Sequence, residues 1–199
     1  MRPSLNPVPA ELTEPQADAL RELTNVAAGH AARALSTLLG GEKFGLWPPL
    51  VRLLDRAQLT SLLGGKGAPL TSVSAELRGP LGGSLGLVFT EPNVQALTSR
   101  LLGAAGERVQ TPEVALRDAA NLVFSAALDA VARLSNVRAL HSVPLVGEGP
   151  AEMIAKMSLP EQSGWVLEAE VYASPLSGRF LLLPNAAGLT TFLRGLKMV

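Results

Sequence analysis

The sequence predicts an α+β, two-layer fold, in which helices pack on one antiparallel sheet and the two halves of the chain are related by a pseudo-twofold axis. Two long segments with helical periodicity, residues 14–39 and 112–135, begin the two halves. Each half also contains a pair of strand-like segments joined by a glycine-containing turn. Asn25 and Asn121 are 96 positions apart, and so are Pro48 and Pro144. Two such copies are too few and too long for a solenoid, so the halves are expected to share one sheet.

The first helix is predicted over residues 14–39 because its apolar side chains recur at the spacing of one helix face. Those residues are Leu20, Leu23, Ala27, Ala31, Ala34, Leu35 and Leu38, and the opposite arc carries Asp18, Glu22, Asn25, Gly29, Arg33 and Ser36. Glu22 and Asn25 are therefore neighbours that point outward. Asn25 and Gly29 are poor helix formers, so local stability does not explain them. We expect Gly29 to lower the surface beside the Asn25 amide, which would let another molecule approach closely.

The second helix, residues 112–135, has the same layout. Its apolar arc is Leu116, Val123, Ala127, Ala130, Val131 and Leu134, and its polar arc is Asp118, Asn121, Ser125 and Asp129. A solvated polar face would explain either helix alone. A carboxylate three residues before an outward asparagine, at equivalent places in both halves, instead indicates a functional surface.

The remaining elements are predicted in the same order in both halves. Residues 1–13 are a proline-rich lead-in, and residues 14–199 form one domain, with repeat one over about 14–105 and repeat two over about 110–199. The first half continues with a strand at 48–54, a short helix at 56–63 capped by Asp55, strands at 71–78 and 84–90, and a helix at 92–102 that ends at Gly103. The second half continues with a strand near 139–146, a segment at 151–157 in the place of the short helix, strands at 166–173 and 179–183 around a turn at 175–178, and a helix at 185–196.

Composition excludes several classes of function. Lys plus Arg and Asp plus Glu both number 17, so no basic nucleic-acid surface is expected. The chain has no cysteine, which excludes disulfides and thiolate metal sites and fits a reducing, cytoplasmic compartment. Residues 1–13 lack the apolar core of a signal peptide. No uncharged apolar run reaches about 18 residues, so no membrane insertion is expected.

The pattern Asp18-x3-Glu22-x2-Asn25-x22-Pro48 resembles the signature of the CheC/CheX/FliY family of bacterial chemotaxis phosphatases. The second copy keeps Asn121 and Pro144 but has Asp118 in place of the glutamate and Val114 in place of the leading acid. Two copies in one chain resemble CheC more than the single-motif CheX. This resemblance implies that the two motif helices lie side by side on an exposed face.

The resemblance also implies a function, which is hydrolysis of the aspartyl phosphate of the response regulator CheY. Asn25 would orient the attacking water, and Glu22 would dock a lysine of CheY. Asn121 and Asp118 would do the same at a second site, where the shorter aspartate reduces the reach. The chain itself would need no cofactor, and the Mg²⁺ would belong to the response regulator.

Other readings of the sequence lead to different functions. The switch protein FliM shares the family's fold without its phosphatase residues, so a non-catalytic interaction module is the main alternative. The deamidase CheD is a second candidate partner, with segments 55–63 and 151–157 as candidate contacts. Gly82-x-Ser84-x-Gly86 matches the nucleophile-elbow pattern, which would require Ser84, Asp118 or Asp129, and His141 to form a triad. That pattern needs a strand–turn–helix context, whereas Ser84 is predicted to begin a strand.

Two further motifs have structural explanations. The segment Gly64–Gly67 lacks the earlier glycine and the following Ser or Thr of a phosphate-binding loop, so it is interpreted as a helix exit. His30 lies at the flank of the apolar arc and is interpreted as a packed histidine. With only His30 and His141 in the chain, no metal-site spacing is present.

Overall fold

The computed structural model describes residues 11–105 and 111–199 and has the same order of elements in both halves. The predicted lead-in falls mostly on residues 1–10, which lie outside the described residues. The first half contains α1 (Glu14–Leu38), β1 (Gly45–Leu46), β2 (Leu50–Asp55), α2 (Arg56–Leu62), β3 (Pro69–Arg78), β4 (Gly83–Thr90) and α3 (Glu91–Ala105). The second half contains α4 (Pro112–Ser135), β5 (Leu140–His141), β6 (Leu145–Pro150), α5 (Ala151–Ser158), β7 (Ser163–Ala173), β8 (Leu176–Pro184) and α6 (Ala186–Gly195).

All strands belong to one antiparallel sheet, and its pairing follows the predicted twofold arrangement. The two hairpins, β3–β4 and β7–β8, meet at the centre, where β4 pairs with β8. The outer strands then cross over between the halves. β2 of the first half pairs with β7 of the second, while β6 of the second half pairs with β3 of the first. The α+β fold class is therefore confirmed.

The main core lies between the sheet and four helices, α1, α3, α4 and α6. Alternate residues of the central strands, such as Leu87 and Leu182, point into this core, and α1 packs beside α4 on top of it. The intervening residues, such as Val88 and Leu181, point to the other face of the sheet, where α2 and α5 cover a smaller cluster. These two short helices add a partial third layer that the two-layer prediction did not include.

The ends of α1 are formed by the residues that the sequence indicated. Thr13 is the N-cap, its backbone N–H donates to Gln16 Oε1 over 3.0 Å, and a proline stands in the first turn. Gly40 and Gly41 both have positive φ and follow the last turn, where the Gly41 N–H donates to the Ser36 carbonyl over 2.8 Å. Both ends of the helix are thus capped, and Glu22 and Asn25 lie inside it, in its third and fourth turns.

Several predicted boundaries and one core assignment were wrong. Gly103 does not end α3, which continues to Ala105, because the φ of Gly103 is not in the left-handed range that a terminating glycine adopts. The strand expected near 139–146 is split into β5 and β6, with the buried Pro144 between them, since proline cannot donate to a strand ladder. Pro48 likewise separates β1 from β2. The hairpin turn lies at Ser174–Pro175 instead of 175–178, and Leu134 is exposed.

Candidate functional site

The first motif lies on the outer face of α1, with its functional side chains exposed. Leu23 and Thr24, between the two motif residues, are buried, and the Thr24 hydroxyl donates to the Leu20 carbonyl over 2.7 Å. This fixes the rotation of α1, so that Glu22 and Asn25 both face solvent. Neither side chain has a hydrogen-bond or ion-pair partner among the described residues. Both groups are therefore available to another molecule.

An open cleft of about 500 Å³ lies beside Glu22 and Asn25. One wall is α1, and the other is the end of β1 with the segment that leads to β2, namely Leu46, Trp47, Pro48 and Pro49. The motif proline therefore belongs to the same cleft as the motif asparagine. Because Pro48 interrupts the strand, the wall keeps an irregular backbone at this point.

Trp47 supports the outer wall of this cleft through the second half of the chain. Its backbone N–H donates to the Glu170 carbonyl over 3.0 Å, and its ring lies 5.7 Å from the ring of Tyr172 at an angle of 39°. Trp47 is nevertheless 58% exposed. An exposed tryptophan beside two unpartnered polar groups is a typical contact residue for a protein partner.

Asp18, the leading residue of the motif, has a different role from Glu22. Its carboxylate accepts a hydrogen bond from Arg21, which also donates to Glu14 over 3.1 Å. The hydrogen bond to Glu14 is the largest cause of the raised pKa of Arg21; burial opposes it, and the hydrogen bond to Asp18 adds a smaller contribution in the raising direction. Asp18 therefore holds a permanent cation at the edge of the cleft, next to Glu22.

The second motif is equally exposed, but its surroundings differ. Asp118 and Asn121 face solvent on α4 and have no partner within the described part of the chain. Pro144 is buried, whereas Pro48 is exposed. Leu122 on the same helix, and Leu140, Val143 and Leu145 in and between β5 and β6, are exposed aliphatic residues.

The model of the CheC-like family matches residues 16–49, the stretch that runs from before Asp18 to just after Pro48. A curated relative, "CheY-P phosphatase CheC" of Bacillus subtilis (strain 168), is 28% identical over 189 residues, which are 87% of this chain and 90% of the relative. The resemblance to the CheC-like family is confirmed. That relative is a CheC, in agreement with the prediction from two motif copies.

Solved structures of this group show the same fold. FliY of Thermotoga maritima matches with a TM-score of 0.73 at 22% identity and covers 94% of this chain and 99% of that one. The FliM middle domain from H. pylori matches with a TM-score of 0.62 at 12% identity and covers 92% of this chain and 99% of that one. The fold of this chain is thus shared with both FliY and FliM, so the fold alone does not establish catalysis.

The structure does not assemble the Ser84 triad. Ser84 lies within β4, opposite Glu76 and Leu183, and a strand continues after it where a nucleophile elbow requires a helix. His141 instead lies 3.1 Å from the Ser125 hydroxyl, through Nε2. The elbow pattern is therefore part of a hairpin strand.

The glycine-rich segment after α2 is also structural. The Gly67 N–H donates to a Glu152 carboxylate oxygen over 2.9 Å, and this hydrogen bond lowers the pKa of Glu152. Because the Gly67 N–H already donates to a carboxylate, it does not provide a binding site for a phosphate group. Within residues 11–105 and 111–199, no group of three or more His, Asp or Glu side chains forms a candidate metal site. No helix in the same ranges combines the length and the apolar character needed to cross a membrane.

The sequence analysis missed three contributors to the two sites, which are Arg21, the Trp47–Tyr172 pair and the Ser125–His141 pair. Arg21 was adjacent to Glu22, and its ion pairs at spacings of three and seven residues could have been expected on a helix. Trp47 stood directly before Pro48, where an aromatic in an irregular segment was a usable signal. The pairing of Trp47 with Tyr172 could not be predicted from the sequence, because 125 positions separate the two residues.

Proposed function

We propose that this chain hydrolyses the aspartyl phosphate of a CheY-type response regulator, with the first motif as the dominant site. The observation that carries the proposal is the unpartnered Glu22–Asn25 pair in an open cleft walled by Pro48. The CheC relative, named as a CheY-P phosphatase, supports it. A cytoplasmic location and a phosphorylated response regulator as partner are parts of the same proposal.

In this proposal, Asn25 supplies the chemistry through its amide. An amide carries both a donor and an acceptor, so it can hold a water in one orientation without a shifted pKa. Hydrolysis of an acyl phosphate depends mainly on positioning and on charge stabilisation. The Mg²⁺ that stabilises the phosphoryl charge belongs to the response regulator, and this chain needs no cofactor of its own.

Glu22 is proposed to dock the regulator by pairing with a lysine. Arg21 lies beside Glu22 but is already bound by Asp18 and Glu14. The carboxylate of Glu22 is therefore free to bind a cation of the partner. Trp47 adds an exposed apolar surface on the facing wall.

The second motif is proposed to be the weaker site. Asp118 is one methylene shorter than glutamate, and displacement of about 1 Å can reduce the rate by about 10²-fold. The buried Pro144 also does not form an outer wall in the manner of Pro48.

The competing proposal is an interaction module without catalysis, and the observation that favours it is the shared fold of FliM. FliM occurs in solved complexes with SpeE and with FliG, both from H. pylori. CheD remains a proposed partner under either reading.

The decay of phosphorylated CheY, measured with and without this protein, separates the two proposals. Wild type should accelerate the decay, and Asn25→Ala should remove most of the acceleration, whereas Asn121→Ala should remove less. Arg33→Ala, an exposed change on the same helix outside the cleft, is the matched control and should retain full activity. A double variant, Asn25→Ala with Asn121→Ala, that stays fully active would contradict the mechanism. No acceleration by wild type with several regulators would favour the interaction module.

A further inference from the structure

The second motif has a proton-accepting pair next to Asn121 that the first motif lacks. Ser125 lies one turn after Asn121 on the same exposed face of α4, and its Oγ is 3.1 Å from His141 Nε2. The residues 96 positions earlier, beside Asn25, are Gly29 and Gly45. The two sites therefore differ in the chemistry available beside their asparagines.

The hydrogen bonds of His141 define its tautomer. Nδ1 lies 2.7 Å from the Ser142 carbonyl oxygen, which can only accept, so Nδ1 carries the proton. Nε2 of the neutral ring is then an acceptor, and the Ser125 hydroxyl donates to it. This leaves the lone pairs of Ser125 Oγ directed at solvent, one turn from the Asn121 amide.

His141 is held in place from both sides. Its ring packs edge-on against the buried Phe124, with centroids 5.8 Å apart and an angle of 80°. Next to it, the Ser142 N–H donates to the Glu76 carbonyl and the Ser142 hydroxyl accepts from the Glu76 N–H. The imidazole is thus positioned by the edge of the sheet and directed at α4.

The electrostatic surroundings of His141 include groups of both signs. The charged residues on the elements packed around it are Asp118 and Asp129 on the same face of α4, Glu76 and Arg78 on β3, and Arg138 before β5. His141 forms no ion pair with any described residue.

We propose that Ser125 and His141 act as a proton relay for hydrolysis at the second motif. This inference rests on the proposed phosphatase function. A water held by Asn121 donates a hydrogen bond to Ser125 Oγ. As its oxygen bonds to phosphorus and the bond from phosphorus to the aspartate oxygen breaks, the water proton passes to Ser125 and the Ser125 proton passes to His141 Nε2. The imidazolium then releases that proton to the phosphate product or to solvent, so no further reactant is needed.

The relay predicts a pH dependence that belongs to one site only. Protonated His141 donates to Ser125 instead of accepting, so the relay works only with the neutral ring and is lost in acidic solution. The first motif has no titrating side chain in the corresponding position, and the amide of Asn25 does not titrate.

The test compares two single-site proteins with phosphorylated CheY over a range of about pH 5.5 to 8.5, with the regulator's own decay subtracted at each pH. Asn25→Ala retains only the second motif, and its acceleration should rise with pH along a one-proton curve. Asn121→Ala retains only the first motif, and its profile should be flat. In the Asn25→Ala background, Ser125→Ala and His141→Gln should each lower the activity by about 10²-fold at the upper end of the range and flatten the profile. In the Asn121→Ala background, the same two changes should have no effect.

Other outcomes overturn the inference. A flat profile for Asn25→Ala, or no activity in it while Asn121→Ala stays active, would reject the relay and leave the first-site phosphatase intact. A Ser125→Ala protein that loses thermal stability but keeps the pH profile would show that the pair only fastens β5 to α4. No acceleration by wild type would reject the proposed function and, with it, the relay.

Discussion

A buried ion pair on the sheet face opposite the motif helices gives the most quantitative prediction. Glu168 on β7 is 3% exposed, and its carboxylate lies 2.6 Å from the guanidinium of Arg179 on β8. Glu170 is 3.8 Å from the same guanidinium. Burial raises the pKa of Glu168, and the attraction of Arg179 only partly opposes this. The proposed perturbation is Arg179→Met, which keeps a long apolar stem but removes the charge.

The expected cost follows from the alternatives open to Glu168 in that variant. A buried carboxylate without its partner can avoid the charged state by taking up a proton. For a group with an unfolded pKa of about 4.3, this costs about 3.7 kcal/mol at pH 7, because each pH unit contributes about 1.36 kcal/mol. The variant should therefore lose up to about 3.7 kcal/mol at pH 7, and less by the cost that the raised pKa of Glu168 already imposes on wild type. At about pH 5 the same cost falls to about 1 kcal/mol.

The sign of the pH effect is set by the raised pKa. The folded state binds the Glu168 proton more tightly than the unfolded state does. The contribution of Glu168 to the free energy of unfolding is therefore greatest at low pH and falls as the pH rises above the ordinary carboxyl pKa. Arg179→Met enlarges this effect. Denaturant unfolding followed by circular dichroism, at about pH 5 and about pH 7, measures both quantities.

The matched control is the double variant Glu168→Leu with Arg179→Met. Replacing a buried ion pair by apolar side chains is often neutral or stabilising, so the double variant should unfold near wild type at pH 7 and show no added pH dependence. An Arg179→Met protein within about 1 kcal/mol of wild type at pH 7, or one whose pH profile parallels wild type, would refute the reasoning.

Three further predictions concern the first cleft. Gly29→Ala should stabilise the protein by up to about 1 kcal/mol in denaturant unfolding, because an added Cβ meets only Leu46 Cδ1, at 3.8 Å; loss of phosphatase activity in this variant would mean that a partner needs the space. Gly45→Ala should displace Tyr172 from Trp47, since the new Cβ would lie 2.5 Å from Tyr172 Cζ; the decay assay should then show a loss confined to the Asn25-dependent activity. Trp47→Ala should change the unfolding free energy by no more than about 0.5 kcal/mol. The same variant should need about 10-fold more protein for half-maximal acceleration of CheY-P decay. An unchanged concentration dependence would exclude Trp47 from docking.

The sequence predicted the helices and the exposed motif faces well because both depend on local periodicity. α1 and α4 begin and end within one residue of their predicted bounds. Asp55 caps α2 as expected, with its carboxylate accepting from the Gln58 N–H over 2.7 Å. The single antiparallel sheet that the sequence predicted is confirmed, and strands from both halves belong to it.

The contacts that join the two halves could not be predicted from the sequence. The explanation offered for Gly29 was incomplete, because the side chain of Leu46 covers part of the surface beside it, with Cδ1 3.8 Å from the position of an added Cβ. That contact depends on the crossing of β1 to β7, which no local pattern encodes. His141 was considered for a triad with Ser84 and for a metal site with His30, although its partner Ser125 was only 16 positions away, because the split of the strand at Pro144 was not foreseen.

The exchanged outer strands also determine how the protein can be divided. Because β2 completes the sheet of the second half and β6 completes that of the first, neither half contains all the strands that border its own hairpin. A polypeptide cut between α3 and α4 should thus yield two fragments that regain structure only when mixed. In this respect the chain resembles an obligate dimer whose subunits have been joined by a linker. The ring contact beside the Asn25 cleft, between Trp47 of one fragment and Tyr172 of the other, would form only when the two fragments reassemble.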